Sequence, residues 1–297
     1  MTSVAVIGTG RMGSAMARAL ARGGASLTLH NRSPEPARAL AAELGAGVVD
    51  TAADAAATAN IAITMLADGD AVRAMWGGPS GLVAGAHDGG VLVDMSTVPP
   101  DTLAGFEAAV RERGSGILDA PVSGSTTLAE SGQLTIMAGG TARDLELARP
   151  VLELLARQVD HVGPLGSGAA LKLAVNALIF AINNSVSEAL VLAERAGIDR
   201  GLAYEVFTSS AAGAPFVGYK RDAFVEPDGT PVAFSFDLAL KDLRLLLDFA
   251  AQLGVPMPQA RVNQSIIGEA AARLGGDRDA SAVAVHLREL TREGATT

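Results

Sequence analysis

Val4-Ala5-Val6-Ile7-Gly8-Thr9-Gly10-Arg11-Met12-Gly13-Ser14-Ala15-Met16-Ala17 decides how the rest of the chain is read. A short apolar run enters a glycine-rich turn, and an Ala-rich helical pattern over Arg11–Arg22 leaves it. Glycine turns serve many ends, so the Gly8, Gly10, Gly13 spacing gains its weight from this strand–turn–helix setting. Gly8 permits the tight turn, Gly10 lets the backbone approach a pyrophosphate, and Gly13 lets the helix pack closely on the strand. The helix start then offers N–H groups and a positive dipole end to phosphates. The run Gly8, Thr9, Gly10, Arg11, Met12, Gly13 therefore reads as a dinucleotide phosphate loop.

Moving outward, the second strand ends in His30-Asn31-Arg32-Ser33. A preference for NAD usually places a carboxylate here to accept the ribose hydroxyls. Asn31 is neutral, Arg32 is a partner for a 2′-phosphate, and Ser33 adds a donor, so the sequence leans to NADP. NAD stays open, because an exposed arginine needs no such role.

Further candidate strands are Ile61–Met65, Val91–Asp94, Gly116–Leu118, Leu134–Met137 and Val159–Val162, separated mostly by helical segments such as Pro36–Leu44 and Asp101–Arg113. This alternation predicts an α/β fold with a doubly wound parallel sheet. After Gly168 the pattern turns helical: Ala169 to Arg195, then roughly 199–211, 237–253, 257–274 and 280–290, with a loop or short helices from Gly213 to Pro231. The expected domains are a Rossmann domain over 1–163 and an all-helical substrate and dimerisation domain over 164–297.

Composition narrows the function. A chain of 297 residues, 49% hydrophobic and 19% charged, can bury two cores. With a net charge of −9 and scattered Lys and Arg, it lacks the basic footprint a duplex binder needs. No cysteine is present, which removes disulfides, thiolate metal sites and a Cys nucleophile, and fits a cytoplasmic protein. His30, His87, His161 and His286 are dispersed, without metal-ligand spacing, and are expected at surfaces or strand ends. No signal peptide is read at the start. The apolar stretch Leu171–Ile182 is interrupted by Lys172 and Asn176 and is read as too short and too polar to span a bilayer.

Lys172 and Asn176 lie four apart on the long helix and share a face. Desolvation by neighbouring Leu and Val would lower the lysine's pKa and make it a better proton donor near neutrality. Carbonyl reduction requires one such acid, with Asn176 to hold the carbonyl oxygen or the ammonium in line. Taken alone, Lys172 is as readily a helix lysine reaching to solvent. The turn Asp119-Ala120-Pro121-Val122-Ser123-Gly124-Ser125 offers N–H groups and hydroxyls to a carboxylate. Phe234 to Asp242 brings Lys241, a second candidate anion anchor.

Together these segments resemble the β-hydroxyacid dehydrogenases, over nearly the full length. The resemblance rests on Gly8-x-Gly10-x-Met12-Gly13-x-x-Met16-Ala17, Asp94-Met95-Ser96-Thr97, the Asp119–Gly124 turn and Lys172-x-x-x-Asn176. It implies that Lys172 is the general acid in reduction and the base in oxidation, with Asn176 beside the reacting carbonyl. It implies Ser123, Gly124 and Ser125 at the substrate carboxylate, and Lys241, Phe234 and Asp242 closing the site. Met65, Leu66, Thr97 and Lys241 would join the cofactor contacts. A homodimer or homotetramer acting on a small carboxylate substrate is implied too.

Gly124-Ser125, where many relatives carry Gly-Gly, is closer to the glyoxylate/succinic semialdehyde reductase branch. NADPH-dependent aldehyde reduction is thus favoured over hydroxyisobutyrate oxidation. Imine reductases usually lack the lysine at position 172. A non-catalytic dinucleotide-binding module is opposed by the same lysine, and 6-phosphogluconate dehydrogenase by Val175 where a histidine is expected.

Overall fold

The computed structural model describes residues 2–294. They divide into two compact units, the first ending at Lys172 and the second beginning at Leu173. The division falls inside one continuous helix.

In the first unit, β1 (Ser3–Ile7), β2 (Ser26–His30), β3 (Gly47–Val48), β4 (Ile61–Thr64), β5 (Val91–Asp94), β6 (Gly116–Asp119), β7 (Val122–Ser123), β8 (Leu134–Gly140) and β9 (Ala156–Gly163) form one sheet. The order β3-β2-β1-β4-β5-β6 is that of a dinucleotide-binding sheet, and these strands are all parallel. The expected doubly wound parallel sheet is present over these six strands, and antiparallel pairing enters at one edge. There β8 runs antiparallel to β6 and β7, and parallel to β9. Pro121, which has no N–H to give, separates β6 from β7, and each pairs in turn with the same side of β8. The short β3 and β7, at two residues each, left no alternation to read.

The helices of this unit are α1 (Arg11–Arg22), α2 (Pro34–Leu44), α3 (Ala52–Ala57), α4 (Gly69–Trp76), α5 (Glu107–Glu112), α6 (Thr126–Glu130) and α7 (Ala142–Leu152). Apolar clusters lie on both faces of the sheet, one built around Val4, Val6, Met16 and Leu20, the other around Ala5, Ile7, Trp76 and Leu92. Alternate residues of β1 serve opposite faces, as pleating requires. The predicted helix over Asp101–Arg113 is instead a 3-10 turn at Ala104–Phe106 followed by α5.

The second unit is helical. It contains most of α8 (Ser167–Arg195), then α9 (Arg200–Ser209), α10 (Pro215–Tyr219), α11 (Arg221–Val225), α12 (Phe236–Gln252), α13 (Pro258–Leu274) and α14 (Val283–Gly294). Its cores gather Leu173, Phe180, Phe236, Leu243 and Ile267 in one cluster and Leu190, Tyr204, Phe216 and Phe224 in another. Buried amides add register: Asn184 Nδ2 donates to Asn263 Oδ1 at 3.1 Å, and Asn183 Nδ2 to the Ala280 carbonyl at 3.0 Å.

The reading of Leu171–Ile182 as too short to span a bilayer is corrected, because α8 runs on to Arg195. At 29 residues, with an 18-residue stretch of mean hydropathy 1.4, it is long and apolar enough by length and composition alone. Inside its unit it serves as a packing helix whose buried side chains include the polar Asn183, Asn184 and Ser187. His286 is likewise buried rather than at a surface or strand end.

Candidate active site

The carboxyl ends of β1, β2, β4 and β5 bring four loops to one edge of the sheet. Gly8 has φ +100, and a side chain there would strike the Met65 carbonyl. One on Gly13 would strike the carbonyl of Gly8, so both glycines are required for the loop to close. A Cβ at Gly10 would meet no heavy atom within 4 Å. That glycine leaves space instead of filling it. Gly10 is also the N-cap of α1, which has no side-chain cap and no acidic residue in its first turn. A helix start lacking both is the arrangement that receives an anion, so the residues present fit a dinucleotide pyrophosphate.

Asn31 braces this loop. Its Oδ1 accepts from the Thr9 N–H at 3.1 Å, while its Nδ2 donates to the Ser33 carbonyl at 2.8 Å. Arg32 and Ser33 are exposed beyond the end of β2. Met65 and Leu66 are half-buried after β4, and the Leu66 N–H donates to Ser96 Oγ at 2.9 Å. Ser96 Oγ in turn donates to Asp94 Oδ1 at 2.7 Å, as does Thr64 Oγ1 at 2.6 Å. Trp76 Nε1 completes the chain by donating to Thr64 Oγ1 at 3.1 Å. Burial pushes Asp94 up to about 6, with the neighbouring Asp119 adding to it, against the pull of the Thr64 and Ser96 hydrogen bonds. Thr97 follows this buried network and is half-buried.

Of the substrate-turn residues, Ser123 lies in β7 opposite Thr135, and Gly124 takes φ +142. Ser125 is the N-cap of α6, its Oγ accepting from the Leu128 N–H at 3.2 Å. In that bond the hydroxyl is the acceptor, and its O–H remains a donor.

Lys172 is half-buried on α8, and Asn176, four residues on, is 4% exposed. Within the second unit, Asn176 Nδ2 donates to Asp242 Oδ2 at 2.8 Å, and Lys241 Nζ pairs with Asp242 Oδ1 at 2.9 Å. Asp242 thereby holds two residues that sequence reading had assigned separately. The link spans 66 residues, so no local pattern could reveal it. Phe234 stacks on Phe180 with ring centroids 6.2 Å apart.

Two residues missed by sequence reading support the entry to α12. Asp279 accepts from the N–H groups of Ala233 and Phe234, and Lys220 Nζ pairs with both its oxygens at 2.7 and 2.9 Å. Among the described residues, no group of three or more His, Asp or Glu is gathered to hold a metal.

Residues 3–163 match the NAD-binding domain of 6-phosphogluconate dehydrogenase, and residues 166–287 the NAD-binding segment of NADP-dependent 3-hydroxyisobutyrate dehydrogenase. The chain is 35% identical over 289 residues to 3-sulfolactaldehyde reductase of Escherichia coli (strain K12), covering 97% of this chain and 96% of that one. It is 31% identical over 286 residues to glyoxylate/succinic semialdehyde reductase 2 of Arabidopsis thaliana, covering 96% and 79%. Mycobacterium tuberculosis 3-hydroxyisobutyrate dehydrogenase, solved with L-serine, superposes with a TM-score of 0.83 at 32% identity, covering 97% of this chain and 99% of that one. Similarity therefore extends through both units, and the chain belongs to the β-hydroxyacid dehydrogenase family of NAD(P)-dependent oxidoreductases acting on small hydroxyacids.

Proposed function

We propose that the chain reduces small aldehydes bearing an anionic group to the hydroxyacids, with NADPH preferred and Lys172 as the proton donor. The observation that carries this reading is the Lys172–Asn176 pair on one face of α8, with the Asn176 amide fixed by Asp242. One N–H of Asn176 Nδ2 goes to Asp242, which leaves the second N–H for the carbonyl oxygen and Oδ1 for the lysine ammonium. Lys172 gives a proton to the carbonyl oxygen in reduction and, as the neutral amine, takes it back in oxidation. The cofactor, when bound, supplies or accepts the hydride equivalent at the carbonyl carbon.

The same reading assigns the remaining roles. The start of α1, from Gly10 to Gly13, receives the pyrophosphate, with Thr9 and Arg11 flanking it and Met65, Leu66 and Thr97 lining the nicotinamide side. Arg32 and Ser33 meet the 2′-phosphate, in keeping with the absence of any carboxylate in His30–Ser33. Ser123 and Gly124 take the substrate anion, Ser125 shaping the turn as a cap. From the second unit, this reading assigns Lys241, oriented by Asp242, as a further cation for the substrate and Phe234 as an apolar contact. The relatives named above act on sulfolactaldehyde, glyoxylate and succinic semialdehyde, which share a carbonyl and an anionic group. A homodimer or homotetramer in the cytoplasm is part of the same reading, supported by the exposed Leu171, Leu178 and Leu192 on α8.

The test is cofactor consumption with NADPH and NADH over glyoxylate, succinic semialdehyde, tartronate semialdehyde, methylmalonate semialdehyde and sulfolactaldehyde, with cyclic imines as the control class. Turnover confined to the imines would sink the substrate class. A preference for NADH would sink the cofactor assignment alone.

A further inference from the structure

Asp119 ends β6, is 3% exposed, and belongs to no role assigned above. Its carboxylate reaches across 47 and 50 residues of sequence to the start of α8. Oδ1 accepts from the Gly166 N–H and Oδ2 from the Ala169 N–H, each at 2.7 Å. Neither oxygen is spent on a side chain of its own strand, and both meet N–H groups that the helix start cannot satisfy internally. A charged acceptor at this end of a helix is also favoured by the dipole.

The seat around this clamp leaves no slack. A side chain on Gly168 would strike the carbonyl of Met137 in β8, and would lie 2.7 Å from the Asp119 carbonyl. One on Gly139 would strike Asp119 Oδ1 and come within 2.8 Å of the Pro164 carbonyl. The first turn of α8 thus rests against the ends of β6 and β8 with glycine on both sides of the contact. Ala169 is three residues before Lys172, about 4.5 Å of helix rise. The register partner of Asp119 on β5 is Asp94, whose network holds Ser96 and Leu66. Adjacent carboxylates on parallel strands therefore serve the loops after β4 and β5 on one side and the lysine helix on the other.

We propose that Asp119 is a positioning residue for Lys172: its carboxylate clamps the first turn of α8 to the end of β6 and so fixes the height and azimuth at which the lysine is presented. The proposal rests on Lys172 being the proton donor. Displacing a proton donor by about 1 Å costs on the order of 100-fold in rate, so a loosened clamp is read in turnover before it is read in binding.

The experiment compares purified full-length Asp119→Asn with the wild type and with Thr141→Ala. Thr141 caps α7 in the same unit, its Oγ1 accepting from the Asp144 N–H at 3.1 Å, and so supplies a cap loss at a different helix. Asn keeps one acceptor oxygen but turns an NH2 group towards a backbone N–H. The expected result is a kcat lowered by about 10- to 100-fold, with the aldehyde KM within about threefold and the NADPH Kd within about twofold. The solvent deuterium isotope effect on kcat should rise, because proton delivery becomes the slow step. Thr141→Ala should lower Tm while leaving kcat and the isotope effect unchanged. Asp119→Ser, whose shorter side chain offers one oxygen for two N–H groups, should lose at least as much kcat.

Wild-type kcat and isotope effect in Asp119→Asn would overturn the proposal, as would an equal kcat loss in Thr141→Ala. Should both Asp119 variants fail to fold, amide exchange on the wild type decides: Gly166 and Ala169 amides exchanging as fast as exposed loops would overturn the clamp. Lys172→Ala separates the two levels. Retained turnover there would remove the proton-donor reading itself, whereas an inactive Lys172→Ala beside a normal Asp119→Asn would remove only the positioning role.

Discussion

The phosphate loop and the lysine helix hold their chemistry by different means. At Gly8–Gly13 the proposed site is main chain: two glycines close the turn, a third leaves space, and α1 starts without a side-chain cap. Along α8 and α12 the site is made of side chains held by other side chains: Asn176 by Asp242, Lys241 by Asp242, and the entry to α12 by Asp279 with Lys220. A main-chain site fails when a side chain is added. A side-chain site fails when one is removed, or when the partner that orients it is lost.

The sharpest break of this contrast is Lys172→Ala. It should lower kcat by about 1000-fold while leaving the NADPH Kd, measured by fluorescence titration, within about twofold. A Kd that moved with kcat would mean that the two regions are not separable. Next is Gly13→Ala, the reverse experiment. Its methyl group would strike the Gly8 carbonyl, so cofactor affinity should fall by about 100-fold or the unit should lose several degrees of Tm. Calorimetric titration showing unchanged affinity would mean the loop adapts.

Arg32→Ala sharpens the boundary case, a side chain serving the main-chain site. We expect kcat/KM for NADPH to fall about tenfold with that for NADH unchanged, as loss of one charged hydrogen-bonding partner implies. Equal losses for both cofactors would remove the 2′-phosphate role.

The smallest effect on activity is expected from Asp94, the buried carboxylate beneath the loops after β4 and β5. Asp94, raised to about 6 by burial, binds its proton more tightly folded than unfolded. Its contribution to stability is therefore complete below about pH 4 and is lost as pH rises through about 6. Asp94→Asn removes that loss, so unfolding at pH 7 should be more costly than in the wild type by about 2 to 3 kcal/mol, and the gain should vanish near pH 4. Burial raises Asp119 to about 6 as well, so the Asp94→Asn variant should keep a residual slope in the same window. A gain independent of pH would mean that folding does not shift the Asp94 pKa.

Sequence and structure parted where contacts are long-range. The strand–turn–helix run at the start was legible because glycine spacing and alternation are local, and β1, β2, β4, β5 and β6 followed from the same patterns. The antiparallel edge was not legible. Only pairing shows that β8 receives β6 and β7 on one side and β9 on the other. The candidate turn at Ser123–Ser125 was found by its composition, yet the capping bond that occupies Ser125 depends on where α6 begins.

What the chain determined by itself is the repertoire: a phosphate loop, a neutral and basic end to β2, and a lysine one helical turn from an asparagine. These are fixed by backbone stereochemistry and helical period, which act within a few residues. Tertiary structure alone decided which carboxylates serve that repertoire. Asp242 reaches Asn176 across 66 residues and Asp119 reaches Ala169 across 50. A buried carboxylate is stable only where the fold delivers N–H donors to it, and no local sequence pattern records that delivery.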